Sequence, residues 1–485
     1  MDDGYAEFTS LPQELKALIL SILDSLSLYR IACASNCFYG VKQQVQAARE
    51  EQRKTIAAAA QTMAAGDMHS ACISDGCLFT FGTDENRRGY LGHPFFAAAG
   101  WLLPTRVLVA GEVFVAVATH SLHTLALTAS GCVYSFGHGD CGKLGHGDET
   151  TLSQPRLIEH LLGVRAISVG QQHSLVLTNG GQLFSFGSGF GGKLGHGDQR
   201  NSTHPRAVAF ETSTLPTSVE TSGEGTDQVV LECLASGTQH SLVATRAAGE
   251  VFTFGAGGSW QLGHGERQDE HKPRRLEGLR GTRIVAIAGG EHHSLAVDDD
   301  GRVYSWGAGE ARERSSNWQG GWLGHRTIDD QKLPRLIAAL GHVRVVCVAA
   351  GSRHSLLLTD GGAVFSCGDG DGGQLGHSHD ELGAGRMLWV PTQVRSIGEE
   401  ARCAIAVAAG ETHSLCLLDD GQLMAWGCGS ALGLEASALS DHAADQPASW
   451  GSAGNYEWAP GDAARRWQAR EPALLVLPAP SRQPC

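Results

Sequence analysis

The residues best suited to chemistry in this chain are histidines followed by a hydroxyl. His-Ser or His-Thr occurs at His69-Ser70, His123-Thr124, His173-Ser174, His240-Ser241, His293-Ser294, His354-Ser355 and His413-Ser414. A second set sits in Leu-Gly-His, at His93, His146, His196, His264, His325 and His377, with Leu432-Gly433-Leu434 in the seventh copy. Such pairs raise two questions, a nucleophilic Ser–His dyad or a zinc site. Zinc needs ligands converging within about 2.3 Å of one point. Histidines in seven separate repeats are expected around a ring and far apart, so no metal and no cofactor is expected. The expected role is structural, each imidazole bonding nearby backbone in its own repeat. Asp369-Gly-Asp-Gly-Gly lacks the twelve-residue frame of a calcium loop and reads as a turn. No GxxxxGK[ST], GxSxG or HExxH occurs, so no catalytic residue is assigned and the protein is expected not to be an enzyme.

These residues must be held by a repeated element. Gly-x-hydrophobic-aromatic-x-aromatic-Gly and close variants begin at Gly76, Gly131, Gly181, Gly249, Gly301, Gly362 and Gly421, spaced 55, 50, 68, 52, 61 and 59 residues apart. Between each His and the block lie an apolar run and a glycine turn, as in HSLVLTNGGQLFSFG, which reads as a hairpin. After Leu-Gly-His comes a proline opening a short run (Pro104, Pro155, Pro205, Pro273, Pro334, Pro391, Pro472), then a β-branched stretch such as VRAISVG. Four short strands per unit make a propeller blade, and seven units argue for a closed ring. The fold class is therefore all-β, a seven-bladed β-propeller preceded by a small α-helical N-terminal arm. The seventh unit lacks its own VxxVAxGxxHS segment, and residues 60–70 carry one without a preceding block. Segment 56–75 is thus expected to pair into the last blade and lock the ring, although Ala57 to Ala60 favours helix.

These units resemble the repeats of the regulator of chromosome condensation family, across roughly residues 56–485. The resemblance implies a seven-bladed propeller used for protein binding. Family members that sense UV-B light use tryptophans in Gly-Trp-Arg-His-Thr. The pairs before the histidines here, among them Asp67-Met68, Gln171-Gln172, Glu291-His292 and Ser352-Arg353, hold no Trp. The family's founder is an exchange factor for a small GTPase and binds chromatin, which makes a small GTPase the alternative partner.

Residues 1–55 differ. Ser10 with Gln13 forms a capping box, Pro12 suits the first turn, and Leu11, Leu15, Leu18 and Ile22 follow helical spacing. Further helices are expected around Leu28–Ala32 and from Phe38 toward Glu51. The stretch Leu11–Val41 resembles an F-box, which opens Leu-Pro-x-Glu-Leu, matched by Leu11, Pro12, Glu14 and Leu15. Ile19, Leu23, Leu28 and Phe38 complete the expected adaptor-binding set, with Phe38 where that family often has Trp. The resemblance implies a Skp-type adaptor of a cullin ubiquitin ligase as partner.

The chain has 485 residues, a formal charge of −14, 64 glycines and 13 cysteines. The glycines fit many tight turns, and scattered unpaired cysteines suit a cytoplasmic or nuclear protein. The charge disfavours nucleic acid, and no apolar run is long enough for a membrane span. Departures from the repeat mark candidate binding loops. The distance from the block's last aromatic to Leu-Gly-His is 8 residues in most units and 17 in the fifth (306 to 323). That insert carries Glu310, Arg312, Arg314, Trp318 and Trp322, the residue types of interface anchors. Other inserts are 210–228, 378–388 and 435–471.

Overall fold

In a computed structural model, residues 39–84, 88–93, 101–210, 230–310, 320–378, 387–398, 402–428, 431–432, 440–441 and 467–475 are described. The chain divides into two units, Met1–Ala58 and Ala59–Cys485. One helix, Tyr39–Ala60, runs across that division, and its alanine-rich end follows the local helix propensity. Among the described residues no helix is long and apolar enough to cross a membrane.

The second unit is seven antiparallel sheets, each a four-strand meander, so the chain is a seven-bladed β-propeller. Blade 1 comprises Met63–Ala65, His69–Ser74, Cys77–Thr83 and Trp101–Arg106. Blade 2 comprises Phe114–His120, His123–Thr128, Val133–Gly137 and Leu152–Leu157, and blade 3 runs from Val164–Val169 to Ser202–Ala207. Blade 4 runs from Leu231–Ser236 to Glu270–Arg275, blade 5 from Ile284–Gly289 to Gln331–Leu336, and blade 6 from Val345–Ala350 to Met387–Gln393. Blade 7 holds Ala404–Ala409, His413–Leu418, Leu423–Cys428 and Trp467–Leu475. A fifth short strand, Ser440–Asp441, pairs outside it. First strands of consecutive blades contact one another, the first and seventh included, so they line a central shaft. The prolines fall in the outermost strands, where a missing N–H costs no ladder bond.

The core is a set of wedges between blades. One cluster joins Leu175, Leu183, Val243, Phe252 and Phe254 of blades 3 and 4, and similar ones fill other seams. The second strands are buried on both faces, as in His173–Thr178. Packing also explains Leu-Gly-His. A Cβ on its glycine would lie 2.9 Å from Phe136 at Gly92, 2.9 Å from Phe186 at Gly145 and 2.8 Å from Trp306 at Gly263. The glycine is the seat for the next blade's aromatic ring.

The expected closure by strand exchange does not occur. Met63–Ala65 pairs with its own blade's second strand, Met63 opposite Cys72 and Ala65 opposite Ser70. The seventh sheet is built wholly from residues 404–475. A blade begins at the β-branched strand before the histidine, so in the blade's own frame seven complete copies exist and no segment is left over. Face packing closes the ring instead. Met63, Cys72, Phe79 and Phe81 of blade 1 share a cluster with Ala406, Leu415, Ala425 and Leu432 of blade 7.

Candidate functional site

Each motif histidine opens its blade's second strand and is 0% exposed. Its Nε2 meets the hydroxyl of the next blade. The distances are His69–Thr124 2.9 Å, His123–Ser174 3.0 Å, His173–Ser241 3.0 Å and His240–Ser294 2.8 Å. His293–Ser355 at 3.0 Å, His354–Ser414 at 2.9 Å and His413–Ser70 at 2.7 Å complete a closed circle of seven. Each hydroxyl also bonds a backbone carbonyl, for example Ser241 to Lys193 O at 2.9 Å and Ser70 to Ala431 O at 3.0 Å. A hydroxyl has one proton, and the carbonyl takes it. Nε2–H must therefore be the donor to the hydroxyl, which assigns the tautomer. The serines are not set up as nucleophiles, since the imidazole gives a proton to the oxygen rather than taking one.

This corrects the expected backbone bonding within one repeat. The partner is a side chain in the neighbouring blade, 51 to 68 residues away along the chain for the six bonds that link consecutive blades. The glycine three residues before the histidine lies against the imidazole. A Cβ there would be 2.2 Å from Cε1 at Gly170 and Gly237, and 2.4 Å at Gly351 and Gly410. Burial holds His69, His240, His293, His354 and His413 at about 3, far below the usual imidazole value.

The Leu-Gly-His histidines likewise bond hydroxyls rather than backbone, here inside their own blade. His146 Nε2 is 2.8 Å from Ser135 Oγ, and that hydroxyl donates to Leu144 O at 2.7 Å. The arrangement repeats at His93 with Thr80, His196 with Ser185, His264 with Thr253, His325 with Ser305 and His377 with Ser366. In the seventh copy both partners are replaced together, Ala425 for the hydroxyl and Leu434 for the histidine.

Both histidine sets are consumed by architecture, and a further set of polar side chains gathers at the shaft mouth. In a four-strand meander the first and third connections leave from the same end. The residues just before each motif histidine and the third-to-fourth connections therefore share one face. In chain order the inserts at 310–320, 378–388 and 435–471 fall between third and fourth strands, and the insert at 210–228 falls between blades 3 and 4. At the mouth a cavity of about 20 Å³, room for roughly one water, is lined by Gly66, Asp67, His120, Gly290, Gly351 and Glu411 among others. His120 stands where the other six blades have glycine (Gly66, Gly170, Gly237, Gly290, Gly351, Gly410). Its Nδ1 accepts the Ser121 N–H at 2.8 Å and lies 3.6 Å from Asp67 Oδ1. Around it Lys193 donates to Gln239, Gln239 to Gln171 at 2.9 Å, and Arg353 lies 3.9 Å from Glu291. Burial lowers Lys193 to about 8; burial and then the nearby Asp371 raise Asp369 to about 6. This is a polar, mixed-charge surface around a cavity with room for about one water.

Glu310 pairs with Gly320 in an isolated bridge that forms the neck of the fifth-unit insert. Arg312, Arg314 and Trp318 lie outside the described residues, as do Leu11, Pro12, Glu14, Leu15, Ile19, Leu23, Leu28 and Phe38. Trp322 is not a surface anchor. It is 1% exposed, its Nε1–H donates to Ala308 O at 2.6 Å, and its carbonyl accepts from Ser355 at 2.8 Å. Blade 6 alone brings a small side chain, Cys367, where six blades have an aromatic, and its Sγ lies 3.5 Å from Trp322 O. The indole lies over the His293 ring, centroids 6.2 Å apart, as Tyr90 lies over His69 at 4.9 Å. Asp369-Gly-Asp is a turn, with the Asp371 N–H donating to Asp369 Oδ1 at 3.0 Å. His120 and Trp260 each stand where other repeats have glycine, a signal visible once the blades are aligned.

Comparisons with known proteins agree with this architecture. A family model described as RCC1-like domain matches residues 27–317, beginning inside the segment read as a helical arm. The Regulator of chromosome condensation (RCC1) repeat matches 300–358 and 361–417. The human E3 ubiquitin-protein ligase HERC2 is 33% identical over 323 residues, 66% of this chain but 5% of the ligase. The Ultraviolet-B receptor UVR8 of Arabidopsis thaliana is 30% identical over 370 residues, 75% of this chain and 64% of the receptor. Prp20p from Saccharomyces cerevisiae superposes with a TM-score of 0.63 at 22% identity, covering 88% of this chain and 89% of that one. That last likeness shows the fold.

Proposed function

The chain belongs to the RCC1-like domain family, and from that premise we propose that it is a non-enzymatic substrate-recognition subunit of a cullin-type ubiquitin ligase. The arm, residues 1–55, captures a Skp-type adaptor through Leu11, Pro12, Glu14, Leu15, Ile19, Leu23, Leu28 and Phe38. The propeller holds the protein substrate on its shaft-mouth face, and ubiquitin transfer is done by partners. The observation that carries this reading is the Leu-Pro-x-Glu-Leu arm joined to a ring whose histidines and serines are spent on structure. Ten free cysteines among the described residues favour a reducing compartment, the cytoplasm or nucleus.

The test is adaptor capture by the full chain. Leu15→Asp with Ile19→Asp should abolish pull-down of a Skp-type adaptor and leave the propeller's Tm unchanged. Capture surviving that double substitution removes the F-box reading. Acceleration of nucleotide release from a small GTPase, measured on the same preparations, would instead favour an exchange factor.

A further inference from the structure

The third-to-fourth connections follow one template, so their departures can be read against copies in the same molecule. Two positions before the Leu of Leu-Gly-His, five blades have a left-handed glycine: Gly89 (φ 77°), Gly142 (77°), Gly192 (82°), Gly321 (87°) and Gly373 (82°). Blade 4 has Trp260 there, at φ 63°. The position is crowded elsewhere, a Cβ on Gly142 lying 2.5 Å from Thr203 Cα and one on Gly192 2.6 Å from His271 Cα. One residue after the Leu-Gly-His histidine, Gly147, Gly197 and Gly265 are also left-handed, and blade 5 has exposed Arg326 at φ 63°. Two bulky residues thus occupy conformations that L side chains avoid, one on each of two adjacent blades. Five blades hold the same turn with glycine, so the fold does not require the indole.

Trp260 is surrounded by cations. Arg267 Cζ and Lys332 Nζ each lie 4.9 Å from its ring centroid. Its Nε1–H donates to Asp330 Oδ2 at 3.1 Å, and Asp330 Oδ1 accepts the Gly309 N–H at 3.2 Å, just before the neck of the fifth-unit insert. Arg267 is 44% exposed, with one Nη 3.8 Å from Asp330 Oδ2 and the rest of its fork uncommitted to that pair, and Lys332 is exposed. A half-buried indole with two cations on it is the composition of an interface anchor.

We propose that Trp260, Arg267 and Lys332 form a docking point for an acidic peptide segment of a partner protein. This deepens, and rests on, the reading of the shaft-mouth face as the partner platform. Separate carboxylates fit here better than a continuous phosphate backbone. Glu266, Asp269, Glu270 and Asp330 are interspersed among the cations, and the chain carries −14 overall. The indole supplies apolar area while Arg267 supplies a fork for a carboxylate.

The experiment is fluorescence anisotropy on the full chain with a labelled octaglutamate peptide. A Gly-Ser peptide and a short DNA duplex serve as comparisons. The octaglutamate should bind, bind more weakly as salt rises, and lose about tenfold or more in affinity in Trp260→Gly. That variant restores the residue of five other blades, so its Tm should hold or rise. Arg267→Gln with Lys332→Gln leaves the backbone untouched and should lose binding similarly. No binding by the wild type overturns the proposal, as does unchanged affinity in the double variant or duplex binding at least as tight. If Trp260→Gly lowers Tm, the double variant decides. Loss of adaptor capture by the arm would leave this result standing, so the two readings fail separately.

Discussion

Ser70→Ala tests whether the hydroxyl circle holds the ring shut. Ser70 Oγ receives the His413 Nε2–H at 2.7 Å and donates to Ala431 O at 3.0 Å, joining the first blade to the last. The alanine removes both bonds and leaves a fully buried imidazole N–H without an acceptor. A lost hydrogen bond costs about 1 kcal/mol and an orphaned buried polar group about 1–3, so the sum is about 2–4 kcal/mol. For a unit of roughly 400 residues that lowers Tm by about 2–4 °C. Denaturant titration gives the free energy, and hydrogen exchange at His413–Leu418 and His69–Ser74 gives its location. Ser70→Thr keeps the hydroxyl, as Thr124 does for His69 at 2.9 Å, and should stay within about 1 kcal/mol of wild type. If Ser70→Ala costs under about 0.5 kcal/mol, or Thr is as damaging as Ala, the circle is not a closing device.

Acid should unfold the propeller early. His69, His240, His293, His354 and His413 sit near 3 when folded against 6.5 when free, so the unfolded chain takes protons first. Stability is full above about pH 6.5 and falls toward pH 3 by about 1.4 kcal/mol per pH unit for each histidine. Five together match a typical total stability of 5–15 kcal/mol within one to two pH units. A circular-dichroism midpoint below about pH 4 would contradict this; Asp369 and Asp84, both raised by burial, are shifted the other way but are outnumbered by the histidines. Gly170→Ala, whose Cβ would lie 2.2 Å from His173 Cε1, should cost about 2–3 kcal/mol. Gly421→Ala, at φ 83° with open space, should cost about 1 by the same denaturant assay. Trp322→Ala should lower stability by about 3–5 kcal/mol, where an exposed anchor would cost almost nothing.

Local and periodic information settled the architecture. The Gly-aromatic block recurs because most third strands carry a ring that the preceding Leu-Gly-His glycine must seat, as Gly145 seats Phe186. Seven copies then dictate seven blades. The alanine run before Gln61 foretold helix, and it won over the strand expected there. The Leu-Gly-His histidines were expected to bond backbone, and only the fold showed that each pairs with a hydroxyl of its own blade, a pair that the seventh copy loses together at Ala425 and Leu434.

What the sequence left open concerns partners brought together only by closing the ring. His413 and Ser70 are 343 residues apart, and no spacing rule links them. Bonding to one's own backbone or to the next blade's hydroxyl leaves the same motif in the chain, and packing decides between them. Trp322 lies in an insert and resembles a surface anchor, yet the fold buries it against His293 of its own blade. Closure itself depended on where a blade begins, a matter of phase that a repeat period cannot specify. Composition and period determined that this chain is a seven-bladed ring. Contacts between blades, long in sequence and short in space, decided which histidines are scaffold and which tryptophan is core.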